Sequence, residues 1–339
     1  MSNLKRQPGR IGFPLVDSWI DVHAHFSPPR SETESKALLH TMHEACWCID
    51  KVREWDVDDV LAYMDRTGIQ MQMLSYIPKK LEALRAANSF GASIVRKYPS
   101  RFGLLMALPS DDPDAALAEI ARSDELEADG FAMTCHYNGV YLSDARLNPV
   151  WAELDRRGAA VFVHPDGYAP GKGRPAAVIE VAAETALTLT DMLYAALFRR
   201  FPNIRFVVAH CGGGLPTLSG RLMLLGLENW VPNPERLTPS EIKTHLRRLF
   251  LDTAGTMPTG LAPALEMTTP DHIVYGSDCG VACTTNATMD INLEALLSFR
   301  GLSSEEIEAI GHNALQLFPH AAERIRAAAS EEASTTASA

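Results

Sequence analysis

Trp19-Ile20-Asp21-Val22-His23-Ala24-His25-Phe26 is the stretch on which the reading of this chain turns. Its apolar residues up to Val22 have the pattern of a buried β-strand, and two histidines end it. On a strand, residues i and i+2 project to the same face, so His23 and His25 set two imidazoles side by side at one end of a sheet. Imidazole is the commonest nitrogen ligand for a divalent metal at neutral pH. The pair alone decides little, because two histidines at this spacing also arise by chance or on a surface.

Further apolar runs follow at 69–74, 102–108, 130–133, 160–163, 204–209, 249–252 and 273–275, making about eight with the first. Between them lie helical patterns at 56–66, 81–97, 113–127, 149–157, 178–201, 215–227, 260–267 and 289–299. Strands alternating with helices read as βαβ units on a parallel sheet, and eight such units favour closure. The expected fold is an α/β single (β/α)8 TIM barrel with a long loop insertion after strand 1. At 339 residues the chain accommodates a barrel of roughly 250 residues with additions. Residues 18–326 are assigned to the barrel, 1–17 to an N-terminal extension, and the Ala/Ser/Glu/Thr-rich 327–339 to a flexible tail. Gly68, Gly130 and Gly158 each follow a helical pattern and precede a strand, as C-terminal helix caps do.

Composition narrows the function. Hydrophobic content of 46% and charged content of 22% belong to the soluble globular class. A net charge of −11 argues against nucleic acid, which needs clustered Lys and Arg. No apolar run is long enough for a membrane span, and the basic N-terminus lacks the apolar core of a secretory signal. Six cysteines form no CxxC pairs, so free thiols in a reducing cytoplasm are expected.

Ligand-type residues close several of the strand runs. Strand one ends in His23 and His25, the 160–163 run in His164, the 204–209 run in His210, and the last run leads through Gly276-Ser277 to Asp278. In a barrel all these ends meet at one rim, where the chemistry of such folds takes place. Three imidazoles and a carboxylate suit a borderline metal such as Zn2+ and leave room for water or substrate. His210 serves either as a further ligand or, left off the metal, as an acid–base group.

These motifs resemble the amidohydrolase superfamily, in its branch of aminocarboxymuconate-semialdehyde decarboxylase and related nonoxidative decarboxylases. The resemblance runs from about Ile20 to Phe318. It rests on Asp21-Val22-His23-Ala24-His25, Tyr98-Pro99-Ser100-Arg101-Phe102, Phe162-Val163-His164-Pro165, Phe201-Pro202-Asn203-Ile204, Ala209-His210-Cys211-Gly212-Gly213-Gly214-Leu215-Pro216, Gly220-Arg221 and Gly276-Ser277-Asp278. It implies one catalytic divalent metal held by His23, His25, His164 and Asp278; the histidine-rich set puts Zn2+ first and Mn2+ second. It implies an unligated His210 that hydrogen-bonds metal-bound water. It further implies a homodimer in which Arg221 reaches the neighbouring site and pairs with a substrate carboxylate. The chain departs from many relatives after Gly-Ser-Asp, where Cys279-Gly280-Val281-Ala282-Cys283 replaces an aromatic and a proline, so substrate identity does not transfer. Arg53, in a shortened version of a family segment, is a second substrate-binding candidate. His136, just past the fourth strand, and His43, in the long loop, are further candidates to touch substrate, each with a plain structural reading beside it. Asp252 is read as a supporting residue behind the metal, and His245 as a surface residue.

The expected reaction is nonoxidative decarboxylation of an ortho-hydroxybenzoate-like or carboxymuconate-like acid, with Asp278 or metal-bound water delivering the proton and His210 relaying or orienting it. The rival is metal-dependent hydrolysis of an ester, lactone or amide by the same constellation. Many hydrolytic relatives carry a bridging lysine; Thr134-Cys135-His136 stands there, which favours one metal. A scaffold that binds metal without turnover is the non-enzymatic alternative.

Overall fold

The computed structural model describes residues 15–168 and 172–337, so the expected extension at 1–17 falls almost wholly outside the described residues. Eight parallel strands run in chain order around one sheet: β1 Trp19–His25, β2 Ile69–Ser75, β3 Phe102–Ala107, β4 Gly130–Thr134, β5 Ala160–His164, β6 Arg205–Val208, β7 Phe250–Asp252 and β8 Ile273–Val274. Closure comes from the segment just past β8. Val22 N donates to Tyr275 O at 2.9 Å, Asp278 N to His23 O at 2.9 Å and His25 N to Cys279 O at 2.7 Å. The β8 extension thus docks on β1 beside its two histidines. A register shift of β1 against β2 between Asp21 and Ala24 falls at the same place, where such irregularities re-aim side chains beside active sites.

The strands read as near-continuous apolar runs because both their faces are covered. Ile20, Val22, Met71, Met73, Phe162 and Val207 pack within the barrel together with Leu317, Phe318 and Ala321. Trp19, Leu104, Met106, Val161, Val163 and Val208 pack on the other side, in one cluster with the surrounding helices. Gly130 opens β4 and is no helix cap: a Cβ there would lie 2.9 Å from Ala160 O and 3.3 Å from the Phe318 ring. Close strand packing excludes a side chain at that point.

The connection after β1 contains a helix the periodicity did not predict, Glu32–Glu44, opened by a capping box between Ser31 and Glu34. Trp47 beyond it packs with Met42 and Ala45, against Ala177 and Ala282 of the loops after β5 and β8. Its ring centroid is 6.1 Å from that of Tyr168. This insertion therefore lies over the C-terminal rim. The helix expected over 178–201 is two, Glu180–Tyr194 and Leu197–Arg200, parted at Ala196 with φ 50°. The last helix, Pro319–Ala337, takes in most of the stretch assigned to the tail, whose alanines and glutamates are strong helix formers. Among the described residues, no helix is long and apolar enough to cross a membrane.

Candidate active site

His23, His25, His164 and Asp278 meet at the C-terminal rim, with one ligand atom of each within 4.8 Å of all the others. His23 Nε2 is 3.0 Å from His25 Nε2, and both approach Asp278 Oδ1, at 3.2 and 3.3 Å. The tautomers follow from the partners. His23 Nδ1 sits 2.8 Å from Asp252 Oδ2 and His164 Nδ1 sits 2.6 Å from Pro165 O, both acceptors, so each Nδ1 carries the proton. In the neutral rings the Nε2 lone pairs then face the common centre, and His164 Nε2 is enclosed without a partner. Converging lone pairs with a carboxylate beside them fit a cation and little else.

Positive charge is favoured at the same point, and on His23 a second proton, on Nε2 toward Asp278, competes with a cation for that lone pair. Burial works against a charge on His23, but Asp252 and Asp278 outweigh it and lift its pKa to about 10. Burial likewise opposes ionisation of Asp278, yet hydrogen bonds from His23 and His25 hold it well below the usual carboxylate range. Burial, reinforced by the neighbouring histidines, keeps His164 uncharged. Two carboxylates thus draw positive charge to one point.

Asp21 and Asp252 hold this arrangement. Asp252 Oδ1 accepts from the backbone N–H of His210 and Ala254, both at 2.9 Å, while Oδ2 orients His23. Asp21, fully buried, accepts from His23 N at 3.1 Å, Ser277 N at 3.0 Å, Ser277 Oγ at 2.5 Å and Gln72 Nε2 at 2.9 Å. It ties β1, β2 and the β8 extension into one unit. Sequence reasoning passed over Asp21, although a carboxylate inside an apolar strand run was the signal. His210 and Asp278 both adopt left-handed backbone, φ 55° and 61°, a strained state for residues other than glycine that clusters at functional sites. His210 is kept uncharged, chiefly by burial, and its Nδ1 is enclosed without a partner. Its ring centroid lies 5.0 Å from that of His23 and 5.5 Å from that of His164. The Gly212-Gly213 turn lets the chain approach the helix Glu180–Tyr194; a Cβ at Gly213 would lie 2.5 Å from Ala182 O.

The other expected residues divide. His136 is half-buried near the end of β4, its Nε2 3.5 Å from Glu184 Oε1 and its Nδ1 enclosed without a partner. Lys79 also stands there, 3.5 Å from Thr134 Oγ1 and 3.3 Å from Asp166 Oδ2, reaching the β4 end from the loop after β2. Arg53 is exposed and donates to Thr284 O at 3.4 Å, lining a cleft of ≈ 380 Å3 with Lys51 and Ala282. His43 does not join the site: it is exposed, and its Nε2 lies 2.8 Å from Ile49 O, pinning its own loop. Arg221 is exposed on the helix Leu215–Leu225 and has no ion pair among the described residues. His245, expected at the surface, is buried against Phe198. Cys283 is exposed, and its Sγ is 3.7 Å from Asp278 Oδ2.

A parallel eight-stranded barrel with a three-histidine, one-carboxylate cluster at its C-terminal rim defines a barrel enzyme built to use a metal. The chain belongs to the amidohydrolase family, whose profile matches residues 20–320. It is 28% identical over 330 residues to decarboxylase macB of Penicillium terrestre, covering 88% of this chain and 94% of that one. It is 32% identical to 6-methylsalicylic acid decarboxylase acuB of Aspergillus aculeatus, covering 69% and 74%. Among solved structures it resembles 2,6-dihydroxybenzoate decarboxylase complexed with 2,6-dihydroxybenzoate, with a TM-score of 0.74 at 20% identity over 89% and 99%. It also resembles a dihydroxybenzoic acid decarboxylase from Polaromonas sp. JS666 with bound manganese and 2-nitroresorcinol, with a TM-score of 0.70 at 21% identity over 89% and 97%.

Proposed function

We propose that this protein is a metal-dependent nonoxidative decarboxylase of an aromatic, ortho-hydroxybenzoate-like acid, with a carboxymuconate-like acid as the second substrate class. The observation that carries the reading is the convergence of His23, His25, His164 and Asp278 in a chain whose relatives along most of its length are decarboxylases, one of them a 6-methylsalicylic acid decarboxylase. These four residues would hold one divalent cation, Zn2+ first on the ligand set and Mn2+ second. The manganese in the related structure supports the second choice. When bound, the cation supplies a Lewis acid that fixes and neutralises substrate oxygens.

The chain's own groups do the rest. The reaction adds one proton to the ring carbon that bears the carboxylate. The C–C bond then breaks, CO2 leaves, and the bonding electron pair restores the conjugated ring. Asp278, ionised at rest, is assigned to take up a proton drawn from solvent and pass it to that carbon. His210, enclosed and uncharged beside His23 and His164, relays or orients the proton. Trp47 and Tyr168 roof the rim and limit water there.

The active form in this reading is a homodimer in which Arg221 reaches the neighbouring site. Its support is the unpaired Arg221 beside exposed Leu218 and Leu224 on one helix. The six free cysteines support a cytoplasmic setting. The test is a panel of hydroxybenzoates and carboxymuconate-like acids followed by CO2 release, with esters and lactones in parallel. CO2 with the matching phenol is the expected result; hydrolysis products without CO2 would overturn the assignment.

A further inference from the structure

Arg30 stands five residues beyond His25, at the start of the insertion over the rim. It is half-buried. Nη1 donates to Ser27 Oγ at 2.8 Å and Nη2 to Arg53 O at 2.7 Å, while Nε is enclosed without a partner. No carboxylate forms an ion pair with it among the described residues. The nearby Glu34 acts on Arg30 only from beyond ion-pair distance, its Oε2 accepting from the N–H and hydroxyl of Ser31, both at 2.7 Å. Three other partly buried arginines face a carboxylate, Arg101 Asp65, Arg157 Glu153 and Arg324 Asp129, while Arg248 sets its two Nη groups on the carbonyls of Phe198 and Pro202. Arg205, which faces no carboxylate, sets Nε, Nη1 and Nη2 on carbonyl oxygens. A guanidinium is always charged, and drawing it from water without an opposing charge is unfavourable unless a ligand supplies one.

The place of Arg30 says which ligand. Arg53, whose carbonyl it holds, reaches Thr284 O, and Thr284 Oγ1 donates to Asp278 O at 2.6 Å. Arg30 therefore belongs to the wall, shared by the loops after β1 and β8, on which His25 and Asp278 stand. Two tyrosines face the same space. Burial pushes the Tyr168 hydroxyl up to about 12, with Arg30 pulling the other way and Asp278 and Cys283 also acting on it. Tyr76 is raised by burial and likewise feels Arg30. Tyr168 is 43% exposed, and its ring lies beside Trp47 with centroids 6.1 Å apart.

We infer that Arg30 pairs, within its own subunit, with the carboxylate of the substrate, and that the Tyr76 and Tyr168 hydroxyls flank the pair. This rests on the reading of the site as one for an aromatic acid. It differs from the role of Arg221, which acts from the partner. As CO2 departs, the carboxylate's charge moves into the ring, so the pair is strongest in the ground state. Arg30 is thus a recognition residue, and its loss acts on KM more than on kcat.

The experiment measures binding of 2-hydroxybenzoate and of phenol to metal-loaded wild type, Arg30→Gln and Arg30→Lys by calorimetry. Metal content and melting temperature are checked for each. Arg30→Gln weakens 2-hydroxybenzoate at least tenfold and leaves phenol within twofold; Arg30→Lys falls between. Equal weakening of both ligands, unchanged affinity for 2-hydroxybenzoate, or a wild type that binds 2-hydroxybenzoate no better than phenol overturns the inference. Binding is read without turnover, so a wild type that releases no CO2 sinks the decarboxylase reading while the split between the ligands still judges Arg30.

Discussion

Asp252 is the residue whose replacement tests the cluster most directly, because it touches no substrate in our reading yet sets the His23 tautomer. With Asp252→Asn, an amide N–H2 faces His23 Nδ1, two donors meet, and the ring is pushed to carry its proton on Nε2 instead. Metal affinity should fall about 10–100-fold, the usual size for an outer partner of a metal histidine. Metal per chain after dialysis against graded chelator measures it, and wild-type retention would contradict the tautomer argument. Asp21 is different in kind. Asp21→Ala strands donors of His23, Ser277 and Gln72 in the interior, so a stability loss of about 2–4 kcal/mol is expected from denaturant midpoints. A loss under about 1 kcal/mol would mean those donors find other acceptors. The metal-ligand candidates were readable because each closes a strand run. Arg30, Tyr76 and Lys79 were not, because they come from loops that have no period to mark them.

At the level of elements, all eight strands were legible, since strands covered on both faces write themselves as apolar runs. The helices Glu32–Glu44, Pro239–Arg247 and Ser304–His312 went unread; they are 9 to 13 residues long and bury few apolar side chains, Met42 in the first, Ile242 and Leu246 in the second and Ile307 and Ile310 in the third. Each begins at a capping box, Ser31 with Glu34, Thr238 with Glu241 and Ser303 with Glu306, and that signature was in plain view. The structural reading set beside the substrate role of His43 has its contact here: the residue lies in the last turn of Glu32–Glu44 and its Nε2 meets Ile49 O of the loop beyond. The junction of β1 with the β8 extension carries its own prediction. Gly280 has φ 95°, and a Cβ there would fall 2.0 Å from His25 O. Gly280→Ala must therefore push the loop off β1, drawing Asp278 away from His25. A lower melting temperature together with reduced metal content is expected; full metal content at wild-type stability would show that the loop can be rebuilt without moving Asp278.

For the whole molecule, the proposed dimer has a surface that suits it. The helices Glu180–Tyr194 and Leu215–Leu225 pack together and leave Leu187 68%, Leu218 51% and Leu224 74% exposed, with Trp230 70% exposed shortly beyond. Single exposed apolar residues need no explanation, but a set of large ones on adjacent elements marks an interaction surface. Arg221 lies within this set and faces no carboxylate of its own chain among the described residues, an arrangement that suits an arginine delivered to a partner. Leu224→Glu should convert the protein to monomers, read by sedimentation, and lower kcat/KM by a decade or more, because each site then lacks the partner's arginine. Arg221→Ala should keep the dimer and the metal while losing about 1.5–3 kcal/mol of transition-state stabilisation, the scale of a hydrogen bond to a charged group. Mixing decides between a shared site and a merely sticky face. Arg221→Ala and His210→Ala proteins, each nearly inactive, form heterodimers in which one site has both an intact His210 and an intact Arg221 from across the interface. Recovery of up to one wild-type site's activity per heterodimer, about half that of a wild-type dimer, is expected if Arg221 acts in the partner's site. If Arg221 served its own site, every site in the mixture would carry one lesion and no activity would return.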